Sequence, residues 1–81
     1  MMQIDNIIET LKKILADQLS ADLDIITEDT DIINDLGADS LDIAEILMGV
    51  EQDFGLVIAD DALENVKTVG ELAAIIERQL K

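Results

Sequence analysis

The chain has 81 residues, of which 19 are acidic, 5 basic and none histidine or cysteine, giving a formal net charge of −14. That charge argues against nucleic-acid binding and attachment to anionic lipid, both of which need lysine and arginine to neutralise phosphate. The missing residue types remove the commonest general base, the thiolate nucleophile and the softest metal ligands, while 49% hydrophobic residues mark a chain that folds.

Ile4, Ile7, Ile8, Leu11, Ile14, Leu15 and Leu19 keep helical spacing and predict a first helix of roughly four turns. Residues 20–38 lose that period and collect Ser20, Thr27, Thr30, Asn34, Gly37 and several acids, the signature of a long loop. Leu23, Ile26, Ile32 and Leu36 are the expected anchors that tie it to a core. A second helix should open near Ser40, bury Ile43, Ile46, Leu47, Val50 and Phe54, and stop at Gly55. Asp60 to Val66 suits a short helix of one or two turns. Thr68-Val69-Gly70-Glu71 reads as a capping box for a last helix with Val69, Leu72, Ala73, Ile76 and Leu80 on its core stripe. No proline, repeat or low-complexity tract divides the chain and no segment alternates like a strand. The expected fold is therefore all-α: one domain over residues 1–81, a small bundle of three longer helices and one short one, monomeric.

No apolar run approaches the length of a membrane span, and Met1 to Asn6 lacks the pattern of a secretory signal, so a cytoplasmic location is expected. Charge is uneven along the chain. Between residues 14 and 66 there are fifteen acids and no lysine or arginine, whereas the first and last helices carry the basic residues. Such a one-signed surface can be a solvated face; it also steers basic partners at high association rates.

Conventional catalysis has no support, because a serine nucleophile here lacks a base and the carboxylates lack a pocket of polar partners. No catalytic residue and no dedicated metal site is expected. The calcium-loop pattern starting at Asp29 fails at Ile33 and at Asn34, where glycine is required. Asp35-Leu36-Gly37-Ala38-Asp39-Ser40-Leu41-Asp42 stands apart from the rest. Gly37 permits a tight turn, Asp39 can cap, and Ser40 becomes the first helical residue. Ordinary capping explains the Asp-Ser pair by itself. The same geometry also presents the Ser40 hydroxyl to solvent at the positive end of a helix, an acceptor that only an outside enzyme could activate. Leu41, Ala44 and Met48 form an apolar strip off the core stripe, flanked by Asp42, Glu45, Glu51 and Gln52. Either the helix is buried on more than one side, or the strip is a docking ridge with acids for steering.

Leu36-Gly37-Ala38-Asp39-Ser40-Leu41-Asp42, followed by Glu45 and by Glu51-Gln52-Asp53-Phe54, resembles the acyl carrier proteins, and the likeness in motif, length, charge and helix order extends across nearly the whole chain. The resemblance implies that Ser40 is esterified by 4′-phosphopantetheine, delivered from coenzyme A by a phosphopantetheinyl transferase, making the chain a phosphoprotein that needs no cysteine of its own. It implies a non-catalytic carrier of acyl thioesters in fatty-acid or related lipid synthesis. Asp39, Leu41, Asp42, Glu45, Met48, Glu51 and Asp60 would then meet basic docking patches on acyl-loading, synthase or acyltransferase enzymes. The acyl chain would tuck against the core face of the second helix. Three positions depart from the family pattern: Ala59 where proline is usual, Gly49 inside the second helix, and the small Ala44 on the ridge. They point to a specialised carrier serving one pathway. Two readings compete with it, a carrier of polyketide or aminoacyl and peptidyl intermediates and an acidic helical adaptor for a basic protein; a small hydrolase using Ser40 fails for want of a base.

Overall fold

A computed structural model of the chain describes residues 3–58 and 66–80. These form three α-helices, α1 (Ile4–Leu19), α2 (Ser40–Phe54) and α3 (Val69–Leu80), with a 3-10 helix over Leu23–Ile25 and no strand among the described residues. The expected short helix lies outside the described residues, which omit 59–65, so the helices on view number three. Among the described residues no helix is long and apolar enough to cross a membrane.

The apolar periods of the sequence become the core. Ile7, Leu11 and Leu15 recur at four-residue spacing and are fully buried along one line of α1, with Ile4, Ile8, Ile14 and Leu19 packed at the margins. From α2 come Ile46 and Val50, and from α3 come Val69, Leu72, Ala73 and Ile76. α1 packs against both other helices, whereas α2 and α3 meet each other little. The space between α2 and α3 is therefore bounded by the connection that precedes α2 rather than closed by a direct helix pair.

Residues 21–39 fill that role with more local order than a plain loop. Ile26 and Ile32 are buried as anchors and Leu36 packs at the edge of the core. Leu23, expected as a fourth anchor, is instead 40% exposed, because the 3-10 turn rotates it outward and leaves Ile26 to take the inner position. Thr30 is buried as well. Its hydroxyl accepts the Thr27 N–H at 2.8 Å and reaches the Ile25 carbonyl at 3.4 Å, so the polar group costs little to bury. Beyond it the chain closes a helical turn over 31–36. The Asp31 carboxylate accepts the backbone N–H groups of Ile33 at 2.9 Å and Asn34 at 2.7 Å. Gly37 ends the turn at φ 72°, with its N–H on the Ile33 carbonyl and the Ala38 N–H on the Ile32 carbonyl. The donors on Asp31, the Asn34 backbone N–H first, with the Asn34 side chain and the Ile33 N–H, hold its carboxyl below the ordinary carboxylate range.

The same segment caps α3. Val69 N–H donates to the Thr30 carbonyl at 3.1 Å and Gly70 N–H to the Glu28 carbonyl at 2.8 Å. Thr68 N–H donates to Glu71 Oε1 at 3.0 Å and Glu71 N–H to Thr68 Oγ1 at 3.2 Å, closing the expected capping box. All four N–H groups that a helix start normally leaves orphaned thus have acceptors. In return Ile32 N–H donates to the Lys67 carbonyl at 2.8 Å, and Asp31 and Thr68 form an antiparallel bridge.

This close approach separates two glycines. A Cβ on Gly70 would lie 3.1 Å from the Glu28 carbonyl oxygen, a backbone atom that cannot yield without breaking the cap. A Cβ on Gly49 would meet only the Ile14 side chain, at an ordinary 3.4 Å. Gly70→Ala should therefore destabilise by about 1–3 kcal/mol, whereas Gly49→Ala should stabilise by up to ~1 kcal/mol because alanine favours the helix. Urea midpoints of the two variants measure both signs. A second expectation concerns acid. Backbone N–H groups of Thr68 and then Lys67 hold the Glu71 carboxyl below its usual range. A carboxylate whose folded pKa is depressed stabilises above its unfolded value and loses that contribution as pH falls through the folded one. Glu71→Gln should thus be less stable than the parent at pH 7, and the gap should close below about pH 4, as urea melts across that range will show.

Candidate functional site

The segment Leu36–Ser40 is built to hold its last residue outward. Leu36 packs at the edge of the core, Ala38 is buried, and Asp39 leaves the turn in an extended conformation as the N-cap of α2. Asp39 Oδ1 accepts the Asp42 N–H at 2.9 Å, and Asp42 Oδ2 accepts the Asp39 N–H at 3.3 Å. This is a reciprocal capping box, of which the sequence reading recognised only the Asp39 half. A larger residue than Ala38 would push the cap away from the core; that anchoring role was missed, and its one signal is a small apolar residue between a turn glycine and an N-cap.

Ser40 is exposed at the first helical position, and its hydroxyl makes no hydrogen bond among the described residues. The N–H groups of Ser40 and Leu41 likewise find no acceptor among the described residues, in contrast to the fully satisfied start of α3. Two free donors and the positive end of a helix dipole favour a phosphate ester on the serine, and the nearby carboxylates of Asp39 and Asp42 oppose it without blocking access. The site therefore fits a phosphate-linked group at Ser40, with open space around Gly37.

The other expected binding residues divide into two kinds. Leu41 is 67% and Met48 62% exposed, and Ala44 between them is exposed too. The strip is thus a free ridge rather than a second buried side of α2. The acids beside it are tethered. Asp39 and Asp42 cap the helix, Glu45 accepts from the Gln18 side chain of α1, and the Glu51 carboxylate accepts the Ile58 N–H at 3.1 Å. The Glu45 and Glu51 tethers were not foreseen, since neither partner is near in sequence. Asp60 lies outside the described residues.

On the inner side of α2, Ile43, Ile46 and Leu47 join Ile32, Ile33, Val66 and Leu72 around an apolar cavity of about 70 Å³. It occupies the space that α2 and α3 leave between them. At about 100° per residue, Ser40 sits on the helix between the cavity-lining Ile43 and Leu47 on one side and the ridge residue Ala44 on the other. A group hung on Ser40 can turn inward to the cavity or outward along the ridge.

Cap and acceptor are separable by mutation. Asp39→Ala should cost about 1 kcal/mol of stability through the lost cap, while Ser40→Ala should leave the urea midpoint nearly unchanged because the hydroxyl bonds to none of the described residues.

A family model for the phosphopantetheine attachment site matches residues 9–76, most of the chain and the whole of the site just described. The chain belongs to that family, whose members carry a covalently attached 4′-phosphopantetheine.

Proposed function

We propose, from that family membership, that this chain is a non-catalytic acyl carrier, a single domain over residues 1–81, with Ser40 as the attachment residue. The observation that supports the assignment is the exposed Ser40 hydroxyl beside two N–H groups, all without a partner among the described residues, within the stretch that the family model matches. In the attachment step the new bond joins Ser40 Oγ to the phosphorus that bears the pantetheine arm of coenzyme A. The pyrophosphate P–O bond breaks, the adenosine bisphosphate leaves, and the serine proton passes to a base of the transferase. This chain supplies no base, which agrees with its lack of histidine.

When bound, the arm supplies the thiol that holds cargo as a thioester. The chain's own residues do the rest. Asp39 and Asp42 keep the start of α2 rigid, so Ser40 is offered in one orientation. Gly37 turns the chain at φ 72° and Ala38 is buried ahead of the cap. Leu41 and Met48 supply contact area to partner enzymes, and the acids around them attract basic patches over longer range. Tethered carboxylates still do this, because steering depends on the field and not on a free rotamer.

An apolar acyl cargo, in fatty-acid or related lipid synthesis, is favoured over aminoacyl and peptidyl cargo by the cavity beside Ser40. Among the described residues its lining is isoleucine, leucine and valine throughout, with no polar side chain to receive an amine. The cytoplasm is the compartment that the sequence suggests for this work. The adaptor reading rests on the same exposed ridge but leaves the motif and the cavity without a use.

Incubation with coenzyme A and a broad-specificity phosphopantetheinyl transferase, followed by intact mass, tests the assignment. One phosphopantetheinyl group should be gained by the parent and not by Ser40→Ala. Folded parent protein that gains nothing would overturn the carrier reading and leave the ridge as the surface of an adaptor.

A further inference from the structure

We propose that Ile33 is the gate of the apolar cavity, and that its side chain governs whether an acyl chain attached through Ser40 stays sheltered. The proposal rests on the carrier reading and adds a specificity-determining residue to it. Ile33 belongs neither to a helix stripe nor to the expected loop anchors, so the functions described above give it no role.

Four observations converge on it. Ile33 lines the cavity, yet it is 51% exposed, while Ile32, Ile46 and Leu72 on the same wall are buried. A residue that faces both the cavity and water marks the mouth. Ile43 and Leu47 are half-buried on the Ser40 face of α2, so the mouth opens on the side from which the arm would arrive. The backbone of Ile33 is pinned: its N–H donates to Asp31 Oδ1 at 2.9 Å and its carbonyl accepts the Gly37 N–H at 3.0 Å. Its neighbour Ile32 is buried and bonded to the Lys67 carbonyl. The turn therefore stays in place, and the branched Cβ, which stiffens χ1, holds the side chain at the rim. Its bulk narrows the mouth there, and shortening it should widen the mouth without disturbing the core.

Size gives the gate a reason. The cavity, at about 70 Å³, is about half the ~150 Å³ apolar void that holds one benzene ring, so roughly two to three carbons fill it. With so little depth, retention depends on closure at the mouth. A cavity of this size admits a short apolar acyl group, or the terminal carbons of a longer one.

The test uses full-length chain carrying the arm, loaded with a butyryl group, as parent, Ile33→Val and Ile33→Ala. Two quantities are read on each: the rise in melting temperature of the butyryl over the unloaded form, and the rate of thioester cleavage by hydroxylamine. In the parent the butyryl group should raise the melting temperature and slow cleavage several-fold relative to butyryl-pantetheine in solution. Ile33→Ala should lose at least half of both effects and Ile33→Val should keep most of them. The unloaded forms should melt alike, because a half-exposed side chain contributes little to the core. Equal protection in parent and Ile33→Ala would overturn the gate while leaving the cavity as the shelter. No butyryl-dependent change in any variant would overturn the shelter and the gate together. A parent that accepts no arm by mass would instead overturn the carrier reading on which both depend.

Discussion

The structure depends on one exchange of backbone hydrogen bonds, between residues 28–32 and the start of α3. Glu28 and Thr30 lend their carbonyls to Gly70 and Val69, and Lys67 lends its own to Ile32. Burying a helix terminus against a loop normally strands polar groups on both sides, at a cost of several kcal/mol if unpaired. Here each strand of backbone satisfies the other, and the glycine at position 70 lets them approach closely. A long connection thereby becomes a structural wall. It brings Ile32 and Ile33 opposite α2, and so determines that the gap between α2 and α3 is an apolar cavity instead of a solvent channel.

The two helix starts are treated in opposite ways, and the contrast organises the molecule. At α3 the chain spends every N–H on internal acceptors, and the terminus is purely structural. At α2 the capping box uses the N–H groups of Asp39 and Asp42 and leaves those of Ser40 and Leu41 without an acceptor among the described residues. Rigidity and availability are thus obtained together: the cap fixes the helix end, and the pair of free donors beside the serine hydroxyl remains accessible. The acids of the α2 surface follow the same economy. Each described acid proposed for partner binding also holds a piece of the fold, so the charge that attracts a partner is carried by groups whose positions are already determined.

The proposed carrier role and the gate share one geometric root, the position of Ser40 at the border between two faces of α2. One face is the cavity wall and the other is the exposed ridge of Leu41, Ala44 and Met48. A carrier alternates between protecting its cargo and presenting it. Both situations are reached from this border by rotation of a flexible arm, with no change in the helices.

Much of this was legible in the sequence because it depends on local spacing. The bounds of α1, α2 and α3, the stop at Gly55, the Thr68–Glu71 box and the exposure of Ser40 follow from helical periodicity and from residue types whose capping chemistry acts over three or four positions. The family resemblance lay in the same contiguous motif. Other features required the tertiary structure, since they pair residues far apart in sequence. Leu23 and Ile26 are equally apolar, and only the 3-10 turn decides that the first is exposed and the second buried. Whether Leu41 and Met48 face a neighbouring helix or water cannot be read from α2 alone; it follows from α1 packing on another face, where Gly49 lies beside Ile14. The ties from Gln18 to Glu45, from Ile58 to Glu51 and from Glu28 to Gly70 are likewise contacts of the folded chain. Sequence by itself determined which segments become helices and which serine is offered, because those are properties of a few consecutive residues. The cavity and its mouth were decided by how the three described helices and the long connection before α2 share a small volume, a packing outcome that no local pattern encodes.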